Sequence, residues 1–213
     1  MSQWRKWRQK LGQRTLSLLL ALVMTAVLAA PAAAATSSLQ PYLEKVVSWG
    51  VMRGDINGNL NEGNNITRAE FVTMINRAFG YSKTGTTPFQ DVPSSAWYAE
   101  DVGIAYTEGY ITGTTKTTFS PYSNVTREQA AVILARILML QPEVGENTAF
   151  SDSRQMGNWS RGLIAAAADY QLVNGYSDGS FRPKNSITRG AAAIMIVNAI
   201  GNPVQKAGDY SLG

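Results

Sequence analysis

The sequence predicts a mainly α-helical protein made of three helix–loop–helix repeats, packed in a pseudo-threefold arrangement around a central helix bundle. Three observations predict this fold class. The same blocks of residues recur in the same order, each recurrence contains a helix-start signal, and the helix that follows is apolar on most sides. A helix that is apolar all round belongs in the centre of a structure. The closed arrangement is therefore favoured over its alternative, a linear solenoid.

The first 35 residues have the composition of a secretory signal. Residues 1–14 carry five basic residues and no acidic one, residues 16–30 are almost wholly apolar, and residues 32–35 are alanines. A retained membrane anchor is the alternative. A spanning helix needs about 20 apolar residues, whereas this run has 15 before Pro31. We therefore predict a signal peptide over residues 1–35 and a secreted protein.

The composition after residue 35 excludes several classes of function. There remain 14 basic and 15 acidic residues, a net charge of −1, so no basic patch is left to neutralise the phosphates of a nucleic acid. Histidine and cysteine are absent, which excludes the common zinc sites and most nucleophile–base pairs. No second apolar run is long enough to span a membrane. We predict no metal site and no cofactor, and only carboxylate chemistry stays open to an enzyme.

Three blocks define the repeat. An Ile/Val-Thr-Arg triplet occurs at residues 66–68, 125–127 and 187–189. A five-residue block that ends in glycine lies upstream of each triplet, at residues 50–54, 109–113 and 171–175. A Phe-x-Asp block followed by tryptophan occurs twice, as Phe89, Asp91 and Trp97 and as Phe150, Asp152 and Trp159. These blocks divide the chain into repeats at 36–83, 84–144 and 145–203 and a short polar tail at 204–213.

Each repeat is predicted to begin with a short helix, over residues 97–108 in the second repeat and 159–170 in the third. Residues 39–49 take that place in the first repeat. The loop that follows is rich in residues that form tight turns. The glycines that end the upstream block are expected where backbone angles exclude a side chain; they are Gly54, Gly113 and Gly175.

The second helix of each repeat has an explicit start signal. Thr67 with Glu70, and Thr126 with Gln129, match the capping box, in which the threonine and the residue three positions later satisfy each other's backbone N–H groups. The third repeat keeps Thr188 without this partner, so a weaker helix start is expected there, by about 1 kcal/mol.

Together these blocks resemble the S-layer homology family. The family motif joins Phe-x-Asp-Val, Trp, a Gly-Tyr-x-Asp-Gly loop and Ile-Thr-Arg-Ala-Glu, and the third repeat shows most of it, including Tyr176 and Asp178. The resemblance covers about residues 39–201. It implies a non-enzymatic module that attaches a protein non-covalently to the bacterial envelope. The ligand it implies is a secondary cell-wall polysaccharide, often with a pyruvate ketal on an amino sugar, or a peptidoglycan-associated polymer, held in grooves between repeats.

The chain departs from the family motif in each repeat. The first repeat lacks the Phe-x-Asp-Val block and the tryptophan, and the second has Thr114 and Lys116 where the third has Tyr176 and Asp178. The third repeat has glycine and alanine after Arg189. We therefore expect one groove, or two, to be competent for binding.

The arginine of each triplet falls at the first position of a helix, where a cation opposes the helix dipole. Because an arginine occupies this locally unfavourable position in all three repeats, we predict that it binds a carboxylate-bearing sugar. The alternative is an ion pair with an acidic residue of the neighbouring repeat, such as Asp91 or Asp152. The two repeat tryptophans could stack on a sugar or could wedge the outer helices onto the core. Tyr176, in a polar loop, is expected to be exposed.

The candidate ligand-binding residues are therefore the triplet arginines, the two tryptophans, the two block aspartates and the loop residues: Arg68, Arg127, Arg189, Trp97, Trp159, Asp91, Asp152, Gly113, Gly175, Tyr176 and Asp178.

The predicted function is attachment of a secreted protein to the cell wall or surface layer, with an anionic wall polymer as partner. A carboxylate-dependent glycan hydrolase is a competing class, but Asp91 and Asp152 occupy equivalent places in separate repeats and do not form an acid/base pair across one cleft. An envelope adaptor or surface-coat component, which binds another protein or itself, is the alternative that stays open.

Overall fold

The computed structural model describes residues 39–143 and 149–201. This part of the chain contains no strand and is built from α-helices and one short 3-10 helix at Ser153–Gln155. The α-helices are α1 (Gln40–Ser48), α2 (Arg68–Phe79), α3 (Ala99–Thr107), α4 (Arg127–Ile137), α5 (Asn158–Asp169) and α6 (Arg189–Ile200). The predicted mainly helical class is confirmed. The predicted signal peptide, residues 1–35, and the polar tail, residues 204–213, lie outside the described residues.

The second helices begin where the sequence predicts. The Thr67 hydroxyl accepts the backbone N–H of Glu70 at 3.3 Å, and the Glu70 carboxylate accepts that of Thr67 at 2.9 Å. The same reciprocal pair forms at Thr126 and Gln129. Both predicted capping boxes are therefore confirmed. Thr188 keeps only the first of these bonds, from the N–H of Ala191 at 3.1 Å.

Two of the outer helices, α3 and α5, each lie on the central helix that precedes them in the chain. Helix α3 packs on α2 and α5 packs on α4, while α6 contacts both α2 and α4. The central helices are buried along most of their length, for example at Phe71, Leu134 and Ile196. Burying apolar surface is the main favourable term in folding, so these all-round apolar helices carry the core.

A ring of three backbone hydrogen bonds joins the triplets. Ile66 donates its N–H to the carbonyl of Ile187 at 3.1 Å, Ile187 donates to Val125 at 3.0 Å, and Val125 donates to Ile66 at 3.0 Å. Each triplet thus gives one hydrogen bond and receives one. This cyclic exchange is the pattern that a pseudo-threefold arrangement requires, although the relation of the whole repeats stays a prediction.

The loop glycines Gly54, Gly113 and Gly175 are required for a reason other than the one predicted. Left-handed backbone angles are found instead at the start of the block, at Gly50 and Gly109. A Cβ on Gly113 would lie 2.2 Å from the carbonyl oxygen of Thr115, and one on Gly54 would lie 2.7 Å from the backbone of Gly58. Close approach of chain segments, rather than an unusual φ, excludes a side chain there.

No helix in residues 39–143 or 149–201 combines the length and the apolar character needed to cross a bilayer.

Candidate functional site

The triplet arginine of the first repeat binds the loop of the second. Arg68 is 6% exposed, and its Nε donates to the carbonyl of Phe119 at 2.8 Å while a terminal nitrogen donates to that of Thr112 at 3.3 Å. Its guanidinium also lies 4.6 Å from the centre of the Phe119 ring. Burial lowers the pKa of Arg68, and the nearby Asp91 carboxylate raises it. The guanidinium stays charged because the arginine pKa starts far above neutrality.

The other two triplet arginines make related contacts around the ring. Arg189 of the third repeat donates from Nε to the carbonyl of Leu60 in the first-repeat loop at 2.8 Å, and it pairs with Glu70 at 3.2 Å. Arg127 donates to the carbonyl of Asn174 in the third-repeat loop. Loop carbonyls, which carry partial negative charge, thus compensate each cation at a helix start. A structural pair with a neighbouring repeat is present for Arg189, with Glu70 as its partner.

The block aspartates hold backbone amides. Asp91 accepts the N–H groups of Phe119 at 2.8 Å and Ser120 at 2.7 Å. Asp152 accepts the equivalent groups, of Phe181 at 2.8 Å and Arg182 at 2.7 Å. Neither carboxylate forms a direct ion pair with a triplet arginine of the described residues, although the Asp91 charge acts on Arg68. Their predicted contact with a ligand stays a prediction.

The third-repeat loop carries an exposed polar cluster. Tyr176 is 41% exposed, as expected, and its ring lies 3.9 Å from the Arg182 guanidinium and 5.2 Å from that of Arg127. Asp178 accepts hydrogen bonds from the hydroxyl of Ser180 at 2.6 Å and from its N–H at 2.9 Å, and it pairs with Arg182 at 3.0 Å. These contacts lower the pKa of Asp178 to about 2.

The two repeat tryptophans lie at the surface. Trp97 is 59% exposed and Trp159 is 54% exposed, so the alternative in which they wedge the outer helices onto the core is wrong. A half-exposed indole presents a flat apolar face with a polar edge, which suits contact with a sugar ring.

One of these indoles lies in a groove of about 370 Å³ between repeats. We call it the Arg136 groove. Its lining comes from all three repeats: the first contributes Arg68, the second contributes residues 111–114 and one face of α4, and the third contributes Trp159. Three predicted residues, Arg68, Gly113 and Trp159, are thereby brought together. The volume is at the lower end of the ~300–1,000 Å³ typical of small-molecule sites.

The groove also holds two residues that were not predicted, Gln129 and Arg136. Arg136 is partly buried, and burial lowers its pKa. None of the described residues gives its side chain a hydrogen bond or an ion pair, and no acidic residue lines the groove. The sequence did contain a signal, because Arg136 is the only charged residue in the apolar stretch 130–140. A cation that is partly removed from water is stabilised by a nearby anion.

The corresponding groove of the first repeat has a different charge. It has a volume of about 320 Å³ and is lined by Arg53 and Arg189 but also by Asp55 and Glu70. Two of these charges already neutralise each other, since Arg189 pairs with Glu70 at 3.2 Å. An anionic ligand would therefore meet both attraction and repulsion here, whereas the charged residues that the structure describes in the lining of the Arg136 groove are all cations.

Trp159 is held in place by a buried carboxylate. Glu128, 4% exposed, accepts the N–H of Gly157 at 3.1 Å and the hydroxyl of Ser160 at 3.0 Å, and it pairs with Lys184. These contacts tie the residues on either side of Trp159 to the start of α4. A Cβ on Gly157 would lie 2.3 Å from the indole nitrogen of Trp159. Both features position the indole at the groove.

Residues 88–131 and 149–193 match the family model described as the S-layer homology domain. These two segments are S-layer homology repeats. They lie within the second and third repeats predicted from the sequence, whose bounds, together with those of the first repeat, stay predictions. The S-layer homology domain is an anchoring module of the cell surface that binds cell-wall polymers, and it is not catalytic.

Several known proteins are similar to this chain. An amylopullulanase of Thermoanaerobacterium thermosulfurigenes is 35% identical over 159 residues, which is 72% of this chain and 8% of that protein. A surface-layer 125 kDa protein of Lysinibacillus sphaericus is 29% identical over 163 residues, 75% of this chain and 14% of that protein. S-layer protein EA1 of Bacillus anthracis is 32% identical over 111 residues, 52% of this chain and 13% of that protein.

The chain thus spans less than a fifth of the length of these relatives. The similarity to the amylopullulanase covers only the S-layer homology part, so it gives this chain no catalytic role. The domain match and the surface-layer relatives support a location at the cell wall or cell surface and a general anchoring role there.

Proposed function

We propose that this protein attaches non-covalently to the bacterial envelope by binding an anionic secondary cell-wall polysaccharide, including pyruvylated forms, in the Arg136 groove. The observation that carries the proposal is the state of Arg136. It is a partly buried guanidinium in a groove that no acidic residue of 39–143 or 149–201 lines, and no residue of these ranges gives its side chain a partner. A ligand carboxylate would supply the missing counter-charge and could bind both terminal nitrogens at once.

The remaining lining suits a sugar rather than a simple anion. Trp159 offers an exposed apolar face, Gln129 offers the NH₂ group of an amide whose oxygen accepts the Thr126 N–H, and Thr112 offers a hydroxyl group. Such a mixture of one aromatic surface and several hydrogen-bonding groups fixes the orientation of a ring that carries hydroxyls. Arg68 lines the same groove with its orientation fixed by the loop carbonyls.

The test is sedimentation of residues 36–213 with purified cell-wall sacculi, before and after chemical removal of the non-peptidoglycan polymer. We expect binding to intact walls only, and a loss of about tenfold in affinity for Arg136→Ala, because a charge-assisted contact is worth one to two kcal/mol or more. Arg77→Ala is the matched control, since Arg77 occupies the position of Arg136 in the first repeat and lies near Asp101.

Equal binding to stripped and intact walls would contradict the proposal, as would wild-type affinity in Arg136→Ala. Binding to neither preparation would favour the envelope adaptor or surface-coat component instead.

A further inference from the structure

The position three residues after each triplet threonine holds a different side chain in each repeat. It is occupied by Glu70, Gln129 and Ala191 in chain order. Glu70 and Gln129 have the same capping role, because an oxygen of each accepts the backbone N–H of its threonine, at 2.9 Å and 3.2 Å. Since the cap requires only this one oxygen, it does not distinguish a carboxylate from an amide.

The second terminal atom of this side chain decides how the neighbouring triplet arginine is paired. In the first repeat it is Oε1 of Glu70, which pairs with Arg189 at 3.2 Å. In the second repeat, Gln129 and Arg68 line the Arg136 groove together. The cap uses the amide oxygen of Gln129, which leaves its NH₂ group in the place of the Glu70 oxygen that pairs. An NH₂ group and a guanidinium only donate hydrogen bonds, so Gln129 cannot pair with Arg68.

The carboxylates nearest to the groove do not replace the missing one. Glu128 is buried at the start of α4 and pairs with Lys184, and it does not line the groove. The charge of Asp91 acts on Arg68, but both Asp91 oxygens accept loop N–H groups and the residue lies outside the lining. In the part of the chain that the structure describes, the charged residues of the lining are therefore Arg68 and Arg136.

We propose that Gln129 determines the specificity of the Arg136 groove for anions, with its NH₂ group as a further donor to the ligand carboxylate. This inference rests on the proposed function of the groove. A carboxylate in place of the amide would pair with Arg68, as Glu70 pairs with Arg189, and would repel the carboxylate of the ligand. The groove would keep its shape and its helix cap, and only its charge would change.

Calorimetric titration of residues 36–213 with two matched probes tests this inference. One is the methyl glycoside of a pyruvate-ketal N-acetylhexosamine, and the other is the methyl ester of its carboxyl group, which has nearly the same shape without the charge. We expect the wild type to bind the acid about tenfold more tightly than the ester. Gln129→Glu should reduce that ratio to about one or below without lowering the midpoint of thermal unfolding, because the capping box is kept.

Two further variants separate the effect of charge from an effect on folding. Gln171→Glu adds the same charge at an exposed loop residue outside the groove lining, and it should keep the wild-type ratio. Gln129→Ala loses the capping bond, so its midpoint of thermal unfolding should fall. Because this variant adds no negative charge, it should reduce the ratio less than Gln129→Glu does.

The outcomes separate this inference from the proposed function. A wild-type ratio in Gln129→Glu would overturn the role of Gln129 and leave the groove as the anion site. An equal loss in Gln171→Glu, or a greater loss in Gln129→Ala, would do the same, because the charge at this position in the groove would then not be the cause. A wild type that binds the acid and the ester equally, or binds neither, would overturn the proposed function and this inference together.

Discussion

The carboxylate of Asp152 accepts the backbone N–H of Phe181 at 2.8 Å, across 29 positions of the chain. Asp91 and Phe119 repeat this relationship in the preceding repeat, and the carbonyl of Phe119 in turn accepts Nε of Arg68 at 2.8 Å. The backbone of one loop residue is thus held from its two ends, by an acid of its own repeat and by an arginine of the neighbouring one. The aspartate orders the loop whose carbonyls the arginine requires.

Asp152→Ala should lower the free energy of unfolding by about 1–3 kcal/mol, because two loop N–H groups lose their acceptor. Urea denaturation followed by circular dichroism measures the change. Asp178→Ala is the control, since that side chain lies at the surface of the same repeat and should have a smaller effect. Equal losses in the two variants would contradict a special role for Asp152.

Glu128→Ala should also lower the free energy of unfolding by about 1–3 kcal/mol, since the Gly157 N–H loses its acceptor and the Ser160 hydroxyl is left with the Gly157 carbonyl alone. Because these residues flank Trp159, the variant should in addition bind cell walls more weakly and show altered tryptophan fluorescence. Ser160→Ala, which removes only one of the contacts, should have a smaller effect on all three measurements. Unchanged wall binding in Glu128→Ala would show that Trp159 does not depend on this carboxylate.

Gln171→Gly should stabilise the protein by up to about 1 kcal/mol. Gln171 has a φ of 57°, while the equivalent residues Gly50 and Gly109 have φ of 70° and 77°. A side chain in the left-handed region costs about 1–2 kcal/mol, part of which is offset by the greater freedom of glycine in the unfolded chain. Thermal unfolding is the measurement, and Gly109→Gln should shift the midpoint in the opposite direction. A lower midpoint for Gln171→Gly would contradict the assignment of strain.

The Asp178 carboxylate should titrate well below an ordinary aspartate. Hydrogen bonds from Ser180 and the Arg182 guanidinium lower its pKa to about 2, against about 3.9 in an unfolded chain. A depressed pKa means that these contacts favour the folded loop above about pH 4 and are lost as the pH falls towards 2. Carboxyl chemical shifts in an NMR titration give the midpoint. Ser180→Ala should move it upwards, and a midpoint near 3.9 in the wild type would contradict the geometry.

The helix starts were predictable because their signals are local. The partners of a capping box lie three residues apart, so Thr67 with Glu70 and Thr126 with Gln129 could be identified without any tertiary contact. The triplet arginines were recognised as unusual for the same reason, since a cation at a helix start is locally unfavourable. Their loop partners could not be predicted, because Arg68 and Thr112 are 44 positions apart and Arg189 and Arg53 are 136 apart.

The sequence by itself determined the helical class, the helix starts and the two segments that match the S-layer homology domain, because each depends on the type and spacing of residues within a few turns of chain. Only the tertiary structure decided which arginines meet loop carbonyls and which one lines a groove without a partner among the described residues. Arg68 and Arg189 donate hydrogen bonds to loop carbonyls of other repeats, while Arg136 lines the groove that also contains Trp159. The physical reason is that the interactions of a charged side chain depend on the groups around it. Here those groups are distant in sequence, and only the packing of the repeats brings them together.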